Sequence, residues 1–526
     1  MTYYRDLREH IQALESKDKL VRIRREINKD TELMPLVRWQ FRGLAEEDRK
    51  AFLFEKVVSA SGQRFNIPVL VASHAASREV YSIGMMCPPE DIAGKWVEAQ
   101  NHPIKPRLLA SGPVHEEIHS KEKLMEHGGL SELPVPVSTP GFDNAPYISA
   151  GNWVTKDPET GIRNIGNYRG MIKSPARTGV MNHPGQHLRM HWEKCRQRGQ
   201  PLQAAIVIGA VPAIGYAAAM KFPYGVDEYE IAGGLAGEPV DLVKCQTVDL
   251  EVPATAEIVI EGELPTESLE REGPFGEFTG YMAPEGVGPY LNVTCITHRK
   301  DAIYNAFISQ FPPSESSKMR HIGDEVALYK FLRHDCGLPV IEVALHESSG
   351  AAPYCVIGMK KTHPSQPWQV LNAAAAQSTG RKIIVVVDDD IDPRNADSVN
   401  WAISWRVQPH RDVRIIQGMA THLDPSAVPP TQPRTDYLMP AGSSAMLINA
   451  TTKWDYPPVS MPKKEFMDRA KQIWEEEGLP RLKPVKPWYG YSLGYWTREF
   501  EEEAELAVKG RHFKTGEKLA GQRVKL

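Results

Sequence analysis

The sequence predicts a mixed α/β chain of several domains: an α/β segment, a strand-rich middle, and a second α/β segment that ends in a helical tail. Three observations carry this. Short apolar runs alternate with helical stretches between about residues 52 and 110, and again between about 318 and 455. Between about 148 and 300, short β-type runs dominate and turn residues separate them. A length of 526 residues exceeds what one hydrophobic core fills, so two to four domains are expected.

The elements follow in order. Leu7, Ile11, Leu14 and Leu20 recur at roughly helical spacing, which predicts one amphipathic helix over 1–22. Pro68 to Val71 reads as a short buried strand. The Pro- and Gly-rich stretch 101–147 reads as connector with short strands. In the middle, 203–209, 256–262 and 291–297 read as strands, interrupted by a helix over 186–199 and another over 227–237. The runs 340–345 and 382–387 are strands of the buried type, and 462–477 and 497–509 are helices. The segment from Gln310 to Lys318 reads as a mobile loop.

Bulk properties exclude several classes. The net charge of −4 leaves no nucleic-acid footprint. No run of about 18 apolar residues predicts a membrane span, and the polar N-terminus does not resemble a signal peptide. Six scattered cysteines with no C-x-x-C fit a reducing, cytoplasmic setting.

Glu272-Gly-Pro-Phe-Gly-Glu277 is the most informative stretch. Pro274 and two glycines forbid a helix, so both carboxylates are held by tight turn structure. Such a pair suits proton transfer, because environment can push its two pKa values apart. A surface turn with solvated glutamates satisfies the same six residues. His115-Glu-Glu-Ile-His119 matches the zincin pattern literally, which would need a helix to aim both rings at one Zn²⁺. Its flanks equally permit an edge strand. His187 and His191 are also four apart and can share a metal or simply pack. Asp388-Asp-Asp390 ends an apolar strand, but no phosphate-cradling glycine motif accompanies it, so these acids are expected to cap the next helix or order a loop. A serine-hydrolase G-x-S-x-G is absent.

Several separated segments together resemble the UbiD-like decarboxylases. They are Asn164–Arg169, Gly185–His187, Gly225–Glu228, Val243–Val259 and Glu272–Tyr281, with further matches at Val385–Ile391 and Val399–Ile403. The resemblance implies an N-terminal α/β domain with connector (1–120) and a central split β-barrel flavin-binding domain (121–310). It further implies a C-terminal α/β domain lining the substrate pocket (311–455). The tail, 456–526, lies beyond the matching motifs and is expected to make oligomer contacts. The implied cofactor is prenylated FMN, with Mn²⁺ or Mg²⁺ held by Asn164, His187 and Glu228. Amide oxygen, imidazole and carboxylate form a hard ligand set suited to either ion. A K⁺ is implied at Ala217, Ala219 and Met220, with Glu228 shared. Cofactor contacts fall on Asn164, Ile165, Tyr168, Arg169, Gln186, His187, Met220 and Glu228. The acid–base set falls on Arg169, Glu272 and Glu277, with Glu277 as proton donor.

The implied reaction is non-oxidative, reversible decarboxylation of an aromatic or α,β-unsaturated acid, either free or as an aroyl-CoA such as phthaloyl-CoA. Implied partners are a flavin prenyltransferase that supplies the cofactor and further copies of the chain in a dimer or hexamer. One departure stands out: Ala445 occupies a position where some members carry a phosphate-binding Lys, which leaves Lys221 and Lys453 as candidate replacements. Phe311, Met319, Trp401 and Tyr437 are candidate pocket residues. A non-catalytic flavin-binding or carboxylase-complex subunit is the alternative, and the presence of all three acid–base residues argues against it.

Overall fold

The computed structural model describes residues 2–350, 353–377, 380–419, 423–427 and 443–522, in two compact units. Tyr437 lies outside the described residues.

The larger unit begins with the helix Leu7–Ser16, whose Asp6 side chain accepts from the N–H groups of Arg8 and Glu9. Such a cap contributes about 1 kcal/mol. The helix predicted over 1–22 stops there. Asp18 turns the chain at φ +55°, and the strand Leu20–Asn28 follows. Leu20 therefore serves a sheet and not a helix face. That strand pairs in parallel with Ala51–Val58, and Val69–Val71 and Tyr304–Ala306 complete the path, with Arg64–Phe65 paired to one side. The Tyr304–Ala306 strand returns from far along the chain and ties the middle segment to the N-terminal sheet.

The middle segment forms a nine-stranded sheet curled into a half-barrel. Its centre is Leu202–Ile208, flanked by Ile258–Leu264 on one side and Asn152–Lys156 on the other, all antiparallel. Arg163–Asn167 pairs with Asn152–Lys156 at the end of the sheet path. Both faces of the central strand are covered. Ala204, Ile206 and Ile208 join one core with Leu188 and Trp192, while Ala205 and Val207 join another with Ala213, Ile214 and Tyr229. Burial on both sides explains why 203–209 reads as an unbroken apolar run. The helix His187–Gln197 thus lies over one face, and the helices Pro212–Ala219 and Glu228–Ala236 over the other. Each fully buried large apolar side chain here contributes roughly 1.5–3 kcal/mol.

The segment from Gln310 to Lys318 is pinned, contrary to the loop expectation. Residues from Glu315 onward are helical, Ser314, Glu315 and Ser317 are fully buried, and Glu315 accepts from the N–H groups of Ala72 and His74. Its polar residues look loop-like in sequence because their partners lie some 240 positions away.

The smaller unit holds a five-stranded sheet in the order Val340–Leu345, Tyr354–Met359, Ile383–Asp388, Ser444–Ala450, Val413–Gln417. At the end of Ile383–Asp388, Asp388 accepts from Thr452 N–H and Lys361, while Asp390 takes both arms of Arg406. The acidic triplet orders loops, as expected. The tail carries the helices Lys464–Glu476 and Arg498–Val508, close to expectation, and a third, Phe513–Gly521, which the sequence reading missed. None of the three buries a residue, and Phe466, Ile473, Phe500 and Phe513 are exposed. Among the described residues, no helix is long and apolar enough to cross a membrane.

Candidate active site

The Glu272–Glu277 hexapeptide is organised by two small ladders and not by one turn. Glu270–Glu272 pairs with Gly286–Gly288, and Phe275–Gly276 pairs with Met282–Ala283. Between them Gly273 sits at φ +107°, where a Cβ would press on Pro284 and Glu285. Asn144 donates to the Gly273 carbonyl at 2.7 Å, and the Gly276 N–H donates to Asp143 at 3.3 Å. A tight turn over 277–281 then closes with Gly280 N–H on the Glu277 carbonyl. Every backbone constraint on the two glutamates comes from a different part of the middle segment.

Arg169 joins the pair. It follows the strand Arg163–Asn167, its Nε donates to Glu272 Oε1 at 2.9 Å, and its Nη1 donates to Glu277. The guanidinium also lies over the Phe275 ring at 5.0 Å. Glu272 is almost fully buried, and its Oε2 has no partner. Burial raises both carboxyl pKa values, against the lowering pull of Arg169 on each and of Arg320 on Glu277. A cavity of about 200 Å³ opens beside Glu277, lined by Thr139, Phe142, Tyr281, Met282, Gln310 and Phe311. Of the candidate pocket residues, Phe311 lines this cavity. Met319 is core, and Trp401 is on the smaller unit. Phe142, Tyr281 and Met282 were missed in the sequence, since nothing local marks them.

A second cluster gathers at three element ends. Asn164 is buried on its strand, and its Oδ1 lies 3.0 Å from Nδ1 of His187, the first residue of its helix. Glu228 opens the helix that Asp227 caps, and accepts from Ile165 N–H at 2.8 Å. Burial pushes the Glu228 carboxyl up to about 8, and burial lowers the pKa of His187, which keeps its ring neutral. Gln186 folds back to accept from His183 N–H, and the Tyr168 hydroxyl is pushed to about 12 by burial. His191 lines the same small cleft and, like His187, meets the Tyr224 ring, but its Nδ1 is turned to Thr155 Oγ1 at 2.9 Å. Met220 ends the helix Pro212–Ala219, its N–H donating to the Ala217 carbonyl.

The cluster fits a divalent cation on its own chemistry. Glu228 is a buried carboxyl that accepts from backbone N–H groups and pairs with no cationic side chain among the described residues, and Asn164 Nδ2 is buried with no hydrogen-bond partner among them. A small cleft of about 10 Å³, lined by Asn164, His187 and Tyr224, has room for one ion-sized sphere. Ala445 is buried in a strand of the smaller unit, and Lys453 spends its ammonium on the carbonyls of Arg406, Asn449 and Thr451.

The zincin pattern is dismantled. His115 ends a 3-10 turn and Glu117–Ser120 is a strand, so the two histidines never share a helix face. His115 faces Gln246, and His119 faces Glu132.

The larger unit thus joins an N-terminal α/β sheet to a half-barrel, and the smaller unit is a second α/β sheet. Family models match three consecutive parts of the chain. They are the 3-octaprenyl-4-hydroxybenzoate carboxy-lyase N-terminal domain over residues 11–100, the Rift-related domain over 108–312, and the C-terminal domain over 318–450. The chain belongs to the UbiD family of decarboxylases. It is 32% identical to an uncharacterized protein of Aquifex aeolicus (strain VF5), covering 90% of this chain and 99% of that one. It is similar to an evolved dimeric form of the UbiD-class enzyme HmfF from Pelotomaculum thermopropionicum, solved in complex with prFMN. That match has a TM-score of 0.75 and 32% identity, and covers 87% and 97% of the two chains. It is also similar to the vanillic acid decarboxylase of Sedimentibacter hydroxybenzoicus in closed form, with a TM-score of 0.77 and 27% identity over 90% and 100%.

Proposed function

We propose that this chain removes CO₂, reversibly and without net oxidation, from an aromatic carboxylic acid, with Glu277 as proton donor. The observation that carries the reading is Arg169 held between Glu272 and Glu277 at the edge of a cavity walled by Phe142, Tyr281 and Phe311. An arginine fork recognises a carboxylate through paired N–H donors, and the aromatic walls suit a flat ring and exclude water. A substrate carboxylate seated on Arg169 competes with Glu277 for the same guanidinium. Losing that contact lets burial dominate at Glu277, which then carries a proton nearer neutral pH. When CO₂ departs, the proton moves from the Glu277 carboxyl to the carbon that lost it. Glu272 keeps Arg169 oriented throughout.

Asn164, His187 and Glu228 would hold Mn²⁺ or Mg²⁺ against a flavin phosphate, with Ile165, Tyr168, Arg169, Gln186 and Met220 around it and K⁺ at Ala217, Ala219 and Met220, with Glu228 shared. When bound, prenylated FMN supplies the electron sink that no protein side chain offers. A flavin prenyltransferase must then provide the cofactor. The division at 1–120, 121–310, 311–455 and 456–526 accompanies this reading. The uncovered apolar residues of the tail support its place in a dimer or hexamer of the same chain. All three acid–base residues are present and assembled, which supports an enzyme over a non-catalytic subunit.

The test is a UV-visible and mass spectrum of the cofactor that co-purifies with protein made alongside a flavin prenyltransferase. A screen for CO₂ release from free aryl carboxylates and from aryl-CoA thioesters, phthaloyl-CoA among them, follows. Release from neither class by cofactor-loaded protein overturns the reading, and the class that responds fixes the substrate type.

A further inference from the structure

A second metal-ligand cluster lies apart from both groups described above. His119 is on the strand Glu117–Ser120, an edge strand that pairs with Tyr290–His298. His127 caps the short helix Glu122–Glu126, and Glu132 ends the 3-10 turn Gly129–Glu132. A separation of 13 positions along the chain thus spans two imidazoles and a carboxylate, with ligand atoms all within 4.8 Å of one another. Among the described residues, this is the one group of three His, Cys, Asp or Glu side chains so placed.

The donor geometry is informative. His119 is buried, and its Nδ1 lies 3.1 Å from the Glu132 carboxylate. Two ligands on one tetrahedral Zn²⁺ sit about 3.3 Å apart, given metal–ligand bonds of roughly 2.0–2.1 Å. The His127 ring is stacked on His119 at 3.7 Å between centroids. Parallel rings cannot both point at one ion, so His127 must swing, and its side chain is exposed at the end of the short helix. A fourth group stands close by. His298, on the paired strand, lies edge-on to His119 at 5.0 Å. Its Nδ1 is 2.7 Å from the Arg299 carbonyl. Only a protonated Nδ1 makes that contact, which leaves Nε2 with its lone pair available.

We propose that His119, His127 and Glu132 form a Zn²⁺ site, with water or His298 as fourth ligand, that clips the 117–132 segment onto the half-barrel sheet. Two imidazoles and one carboxylate suit Zn²⁺ better than Mg²⁺ or Ca²⁺, which prefer all-oxygen shells. The ion would act as a staple: the edge strand, the short helix and the turn each contribute one ligand, so binding penalises their separation. The zincin pattern supplies one true ligand, His119, through a partnership that the pattern does not predict.

The test is equilibrium dialysis of full-length, cofactor-loaded protein against ZnCl₂ with Mn²⁺ in excess, read as zinc per chain. Wild type is expected to take up one zinc at low micromolar free metal. His127→Ala, at an exposed position that leaves the fold intact, and Glu132→Gln are each expected to weaken uptake at least tenfold. His115→Ala should leave it unchanged. Hydrogen exchange across 117–132 should slow with zinc in wild type and His115→Ala, and not in His127→Ala or Glu132→Gln. Absence of zinc uptake by wild type, or equal uptake by His127→Ala and Glu132→Gln, overturns the proposal.

Discussion

Arg169 donates through Nε to Glu272 at 2.9 Å while its Nη1 reaches Glu277, so one guanidinium sets the charge environment of two acids with different exposure. Glu272 is sealed at 1% side-chain exposure, whereas Glu277 retains 18% and borders the cavity. The acids are therefore unequal: one anchors, and the other is within reach of a substrate.

Glu277→Gln removes the only proton on the cavity-side carboxyl and keeps its shape. Turnover is expected to fall by roughly 10²–10⁴-fold, the usual range for a positioned acid. Flavin content, read from the visible spectrum, should match wild type. Substantial residual CO₂ release would remove Glu277 from the donor role.

Arg169→Lys keeps a charge but loses the planar fork that serves two carboxylates at once. Binding of substrate should suffer more than folding, so KM is expected to rise at least tenfold with the thermal midpoint within a few degrees of wild type. An unchanged KM would separate Arg169 from substrate binding.

The Glu277 pKa lies above the ordinary carboxyl range, chiefly through burial. The donor must be protonated, so activity should persist toward neutrality and decline as pH rises through that raised value. In Glu277→Gln the alkaline decline should vanish from whatever rate remains. A wild-type profile that rises monotonically with pH would contradict the assignment.

On the proposed metal site, His187→Ala would delete a neutral imidazole ligand and leave Glu228 buried without a cation. Bound manganese, measured by elemental analysis, should drop at least tenfold, and flavin retention through gel filtration should weaken. Wild-type levels of both would place the metal elsewhere.

Acid stability provides a test of the core. His10 is fully buried with Nε2 2.9 Å from the Ser73 carbonyl, and burial lowers its pKa to about 4. The unfolded chain binds that proton near pH 6.5, so stability is complete above about 6.5 and is lost as pH falls toward 4. A shift of that size corresponds to roughly 3 kcal/mol. His74, lowered to about 3 by burial, acts in the same direction. The thermal midpoint of wild type should fall across this window, and His10→Gln should flatten part of the slope.

Local sequence determined much. Apolar runs buried on both faces announced Leu202–Ile208, Ile258–Leu264 and Tyr290–His298, and the turn residues of 272–277 announced a constrained acid pair. Those readings depend on periodicity and chemistry that each short window carries in full. What only the tertiary structure decided is where strands and partners from distant windows meet. It ended the first helix at Ser16, because Asp18 turns the chain into a sheet built with Ala51–Val58. It pinned the Gln310–Lys318 segment through Glu315 and the amides of Ala72 and His74. It divided His115 from His119 and gave His119 to Glu132, and it joined Arg169, more than a hundred positions upstream, to the two acids that the small ladders hold. Each of these is a contact between groups far apart in the chain, and its energy exists only once the backbone between them is ordered.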